Sequence, residues 1–154
     1  MIKFKKILCP SDFSESSQET LQYAIHLMLK DDDATLYMVH VVDNRVFDYG
    51  GPFYEQEPSV TMVALDQSAR EKLEKKLLAE IPEEIQSRVE TTILFGVPFV
   101  EIIKAARDKD IDLIVIGTHG RTGLAHMLIG SVAEKVVRKA PCPVLSVKSK
   151  KKNT

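Results

Sequence analysis

The sequence predicts an α/β protein built on a parallel sheet, and three observations predict it. Short apolar runs such as "KILCP", "TLYMVHVV" and "DLIVI" alternate with longer stretches of helical periodicity, the pattern of strands joined by helical crossovers. Turn-forming residues punctuate the boundaries: polar "SDFSESS" follows the first run and Gly96-Val97-Pro98 the third. The fourth run is followed by "GTHGRTGLAHMLIGS", which holds four glycines and so has a loop's composition rather than a helix's.

Taken in order, residues 4–10 form a first strand whose apolar end leads into the serine-rich turn. A helix follows, with Leu21, Ala24, Ile25 and Met28 on one face, and Ser16 and Glu19 have the spacing of a capping box at its start. Residues 35–42 form a second, mostly buried strand. Residues 43–60 carry two glycines, two prolines and no usable period, and read as a loop. From residue 61 the spacing Met62, Leu65, Ala69, Leu73, Leu77 marks an amphipathic helix, which Pro82 closes. Residues 89–95 form a third strand. Pro98 suits the first turn of a helix that points Phe99, Ile102, Ile103 and Ala106 inward. Residues 112–116 form a fourth strand, behind which the glycine stretch begins. A last helix over 131–139 buries Val132, Val136 and Val137, ends on Arg138 and Lys139, and is stopped by Pro141. Residues 143–147 make a fifth strand before a polar tail. The count is five strands and four helices, with no internal repeat.

Bulk properties exclude several function classes. The net charge of −1 provides no basic field for nucleic acid. The apolar runs fall far short of the ~20 residues that span a bilayer, and the N-terminus lacks a secretory pattern. Cys9 and Cys142 form no CxxC pair or metal-type cluster and read as reduced thiols. The expected compartment is the cytoplasm.

Two loops, residues 10–17 and 117–131, lie at the carboxyl ends of strands, where open parallel sheets place their ligands. Glycine lets a backbone N–H approach an anion closely, and Gly130 and Ser131 stand at a predicted helix N-terminus, which favours phosphate. Ser131 and Glu134 also have capping-box spacing. Spacing alone leaves two readings open: a phosphate cradle, or turns and a helix cap. Neither GxxxxGK[ST] nor a GxGxxG after a strand is present.

Gly117-x2-Gly120-x9-Gly130-Ser131 resembles the G-x2-G-x9-G-[ST] pattern of the ATP-binding universal stress proteins. "ILCPSDFSESS", "VHVVD", "GVP" and "PCPVLSV" resemble that family in the same order, over residues 2–148. The resemblance implies a doubly wound five-stranded parallel sheet of order 3-2-1-4-5 with helices on both faces. Length and the lack of a repeat give one domain over residues 1–148, and the run of lysines gives a flexible tail over 149–154. The resemblance also implies an adenine nucleotide ligand, ATP or else ADP or AMP, with Mg²⁺ as a companion. Carried over by position, Gly117, Gly120, Gly130 and Ser131 surround the ribose–phosphate chain, with the Val132 N–H as a further donor. Pro10 and Asp12 line the nucleoside side, and Val41 meets the adenine edge through its backbone. Ser11 and Thr118 belong to the same two loops and are counted with the site.

Other residues keep two readings. Asp12 either accepts from the nucleoside or forms a local Asx-turn. His119 and Arg121 either reach phosphates or are solvated loop charges. His40 reads as a structural histidine rather than a base, and Asp43 either helps hold Mg²⁺ or is an exposed strand end. Phe47, Tyr49, Phe53 and Tyr54 shield the nucleotide or a partner, or pin their own loop. Gly123 is a glycine beyond the pattern.

The fifth strand is a sheet edge in the implied order, and with the family's habit this predicts a homodimer through Val144–Val147. The expected function is a nucleotide-dependent regulatory or stress-adaptation module. A slow ATPase or nucleotidyl enzyme is the alternative, although the sequence offers no base–metal constellation for efficient hydrolysis. A pure interaction protein is the third reading, which the intact glycine pattern disfavours.

Overall fold

A computed structural model describes residues 1–43, 67–119 and 129–150. Among these the elements are β1 (Lys6–Pro10), α1 (Glu15–Met28), β2 (Thr35–Asp43), α2 (Gln67–Leu78) and a short 3-10 helix (Glu83–Arg88). They continue with β3 (Val89–Gly96), α3 (Pro98–Asp108), β4 (Leu113–Gly117), α4 (Ser131–Lys139) and β5 (Val144–Val147). The five strands form one sheet of order β3-β2-β1-β4-β5, and every pairing is parallel. The expected doubly wound order is therefore present.

Strand alternation explains the two layers. Ile7 and Cys9 of β1 face one side with Leu36, Met38, Leu113 and Val115, under α1 and Leu77 of α2. Leu8 faces the other side with Val39, Ile114 and Ile116, under Ile102 and Ala106 of α3 and Ala133 and Val136 of α4. Because both faces are covered, the central strands read as continuous apolar runs rather than as alternating ones.

Helix ends differ from expectation in instructive ways. Ser14, not Ser16, caps α1: its hydroxyl accepts the Ser17 N–H at 3.1 Å. The reason is local, since the Asp12 carboxylate accepts the Ser14 N–H at 3.0 Å and turns the chain into the helix early. Ser16 instead donates to the His119 carbonyl at 3.0 Å. The other end of α1 is closed from a distance: the Arg88 guanidinium donates to the carbonyls of Met28, Asp31 and Ala34. Residues 61–66, where the second helix was expected to begin, lie outside the described residues.

Pro98 opens α3 as expected. The turn before it needs glycine: Gly96 has φ +146°, and a Cβ there would stand 2.8 Å from the Glu101 side chain. In α4, Gly130 is the N-cap and Ser131 the first helical residue, so the expected Ser131–Glu134 capping box does not form. Glu134 pairs with Arg138 one turn on. Ala133 and Val136 are the buried pair of this helix, whereas Val137 is 48% exposed. One residue beyond Val136 is a ~100° rotation, which carries Val137 off the inner face.

Cys9 is buried, Cys142 is half-buried, and both are free thiols. Ser149 and the Lys150 N–H donate to the Glu19 carboxylate at 3.0 and 3.3 Å. The stretch expected to be a flexible tail is thus tied to α1 at its first two residues; residues 151–154 lie outside the described ones. Among the described residues no helix is long and apolar enough to cross a membrane.

Candidate functional site

Strand order places the site. β1 continues into α1 on one face of the sheet and β4 into α4 on the other, so the two chains diverge above the β1–β4 pair. A cavity of ≈ 570 Å³ opens at that point, within the usual size range of small-molecule sites.

Of the expected site residues, Pro10, Ser11, Asp12 and Val41 line it from the β1 and β2 ends. Gly117, Thr118, His119, Gly130, Ser131 and Val132 line it from the β4 end and the start of α4. Gly120 and Arg121, with Gly123, lie outside the described residues, as do Phe47, Tyr49, Phe53 and Tyr54. The lining also includes Ser17, Val42, Pro98, Ile102, Ile116 and Ala133, which were not expected from the sequence. Val42 and Ile116 were accessible as the ends of strands. Pro98 and Ile102 reach the cavity because α3 packs across that face, which periodicity within α3 does not reveal.

The serine-rich turn is a built structure. Ser11 continues the ladder by donating its N–H to the Val39 carbonyl at 2.8 Å. Its buried hydroxyl donates to Glu80 at 3.0 Å and accepts the Phe13 N–H at 3.1 Å. Phe13 has φ +64°, a left-handed conformation costing roughly 1–2 kcal/mol for a residue with a Cβ. Asp12 makes the Asx-turn to Ser14, and the residue also lines the cavity. His40 acts structurally: its Nδ1 lies 2.8 Å from the Ser11 carbonyl, which can only accept, so Nδ1 carries the proton. Its ring lies 4.4 Å from that of Phe13.

On the opposite wall, Thr118 donates its N–H to Val147 at 2.9 Å, and its carbonyl accepts the Gly130 N–H. The Gly130 donor is thereby used within the chain, and the helix donors that follow are those of Ser131, Val132 and Ala133. The N-cap Gly130 has no side chain with which to cap this terminus, and such N–H groups have no partner within their own helix. Gly117 is glycine for a packing reason: a Cβ there would stand 2.9 Å from the Thr20 hydroxyl of α1.

The β2 end has its own geometry. The last β1–β2 pair is Pro10 with Val39, yet β2 continues to Asp43. Val39 turns its carbonyl toward β1, so by the two-residue period Val41 turns its N–H and C=O the same way, above the point where β1 has ended. The cavity therefore joins apolar surface from Val41, Ile102 and Ile116, an edge of strand backbone, and a helix N-terminus.

Glu80 and Cys9, behind the β1 turn, titrate above their ordinary ranges. Burial pushes the Glu80 carboxyl above its ordinary range, and the charge of Asp12 adds to this, while the Ser11 hydrogen bond and Lys76 oppose it. Burial also pushes the Cys9 thiol up to about 12, with the Glu80 charge assisting. Among the described residues no three His, Cys, Asp or Glu side chains gather as a metal cluster.

The sequence model of the Universal stress protein family matches residues 3–148. The chain belongs to the universal stress protein family. Universal stress protein MJ0531 of Methanocaldococcus jannaschii is 41% identical over 149 residues, covering 97% of this chain and 85% of the relative. Universal stress protein MJ0577 of the same organism is similar in structure as well, with a TM-score of 0.80 at 32% identity, covering 97% of this chain and 99% of that one. A family member from Archaeoglobus fulgidus, solved in complex with dAMP, shares the fold with a TM-score of 0.56 at 22% identity and covers 96% and 100% of the two chains.

Proposed function

We propose that this universal stress protein binds an adenine nucleotide, ATP foremost, in the cavity above β1 and β4, and acts as a regulatory module rather than an efficient catalyst. The observation that carries this reading is the cavity itself: apolar surface and strand backbone at one end, helix N–H groups at the other. Adenine fits between Val41 and Ile102, and its edge pairs with the Val41 backbone. The phosphates lie against the first turn of α4, where the N–H groups of Ser131 and Val132 and the helix dipole favour negative charge. Gly120 and Arg121 join them on the strength of the glycine pattern. The dAMP bound by the Archaeoglobus fulgidus member supports an adenine nucleotide as a ligand suited to this fold.

Mg²⁺ enters with the phosphates. Asp12 and Asp43 both line this cavity, and carboxylates are the oxygen ligands such a hard cation takes. Its role there is to neutralise phosphate charge. The chain's own contribution is to position and to exclude water.

Gly130→Val tests the assignment. Gly130 has φ −66° and ψ 156°, a conformation valine adopts, so the fold survives. The branched side chain, however, stands in the cavity wall at the phosphate end. The expected result is at least a hundredfold loss of ATP affinity, about 2.7 kcal/mol, with an unchanged circular dichroism spectrum. Wild-type affinity in that variant removes the phosphate end from α4.

A further inference from the structure

We propose that Glu80, which lies outside the cavity, is a positioning residue for it: through the Ser11 hydroxyl it holds the turn of residues 11–13, of which Ser11 and Asp12 line the cavity. The inference rests on the nucleotide reading only for the identity of the ligand.

Glu80 sits two residues past the end of α2, between Leu77 and Ile81, both buried. Its backbone is anchored too, since the Glu80 N–H donates to the Leu77 carbonyl at 3.2 Å and the Ile81 N–H to the Leu78 carbonyl at 3.0 Å. The carboxylate is thus delivered from a fixed point. An ionised carboxylate only accepts, so the contact of 3.0 Å between Ser11 Oγ and Glu80 Oε2 fixes the direction of the Ser11 proton. With its proton committed there, Ser11 Oγ turns a lone pair to the Phe13 N–H at 3.1 Å. That bond closes the turn in which Phe13 takes φ +64°. The Ser17 hydroxyl, which donates to the Ser14 carbonyl at 2.9 Å, stands 3.3 Å from Ser11 Oγ and offers its proton only a longer, neutral acceptor in place of the carboxylate.

A second contact from α2 falls on the same turn: the Lys76 ammonium lies 4.2 Å from the centre of the Phe13 ring. His40 holds the turn from β2, through the Ser11 carbonyl and the Phe13 ring. Asp12, which lines the cavity, is carried between two residues gripped in this way. Any slackening at Ser11 or Phe13 moves Asp12 directly. The end of α2 therefore sets the position of a cavity wall to which it contributes no lining residue.

The test joins two readouts on Glu80→Ala, Glu80→Gln and Ser11→Ala. Amide hydrogen exchange by NMR on the ligand-free protein reads the turn, and calorimetric titration with ATP and Mg²⁺ reads the site. In Glu80→Ala, exchange at the Phe13 amide is expected to quicken about tenfold while that of Leu8 in β1 is unchanged, and ATP affinity is expected to fall about five- to tenfold. Glu80→Gln, whose amide oxygen still accepts from Ser11, stays within about twofold of wild type in both. The Glu80→Ala, Ser11→Ala double variant binds no worse than Ser11→Ala alone. Should Glu80→Ala fail to fold, Glu80→Asp withdraws the carboxylate by one methylene and shows the same changes in smaller measure. Wild-type Phe13 exchange in the variant overturns the proposal, as does wild-type affinity in a protein that binds ATP. If the wild type binds no ATP, it is the nucleotide reading that fails, and the exchange data alone decide whether Glu80 holds the wall.

Discussion

Single side chains decide how the β1 turn is made, and the sequence exposes only half of that decision. "SDFSESS" offers Ser14, Ser16 and Ser17 as rival caps at similar spacing. Asp12 settles the contest by taking the Ser14 N–H, a choice that spacing to Glu19 does not encode. Asp12 was a candidate through the family likeness, and the structure places it in the cavity lining. Glu80 was not legible, since nothing at position 80 marks it for a partner 69 residues earlier in the chain. Its titration makes a prediction. The folded carboxyl is raised above its ordinary 4.5, so within that window the folded state binds more protons than the unfolded one. Stability is therefore lost as pH rises through the window, and the penalty is complete above the folded pKa. A glutamine in its place does not titrate, so the melting temperature of Glu80→Gln relative to wild type is expected to rise between about pH 4 and about pH 7. A constant difference across that range contradicts the raised carboxyl.

At the scale of elements, periodicity was a good guide to helices and strands and a poor one to their ends. Leu21, Ala24, Ile25 and Met28 bury the face of α1 that their spacing predicted. Val137 does not follow Val136 inward, because hydrophobicity at i+1 says nothing about which side of a helix is covered. The 3-10 helix before β3 was missed, and with it the function of Arg88. Its guanidinium satisfies carbonyls at the end of α1 and in the turn after it, where a helix leaves its last acceptors unpaired. Arg88→Ala is expected to lower stability by about 2–3 kcal/mol, since buried acceptors lose a charged donor. Arg88→Lys recovers only part of this, because one ammonium cannot span three carbonyls as a planar fork does. Denaturant melts of the two variants read the difference, and wild-type stability in Arg88→Lys rules out the fork as the cause.

For the whole molecule, alternation of strand and helix signals was enough to expect a parallel sheet, but not to order it. Order 3-2-1-4-5 came from the likeness to a family, and the strand pairings agree with it. That order alone brings loops more than a hundred residues apart to one cavity, as the bond from Ser16 to the His119 carbonyl illustrates. Pro98 and Ile102 remained hidden for the same reason: their place in the cavity depends on how α3 lies over the sheet, not on α3 itself. The order also leaves β5 at an edge, with Leu145 37% exposed. An open apolar edge invites a second copy, and we expect a two-fold dimer through it. Light scattering at micromolar concentration is expected to give twice the chain mass for the wild type and a monomer for Leu145→Lys. A monomer mass for the wild type, with and without ATP, excludes the dimer.

The central claim, that the cavity above β1 and β4 is an adenine-nucleotide site, is tested most directly by calorimetric titration of nucleotide-stripped protein with ATP and Mg²⁺. The account predicts saturable binding at one nucleotide per chain. Absence of heat, together with an unchanged melting temperature in excess ATP, contradicts it and leaves the glycines after β4 as turns.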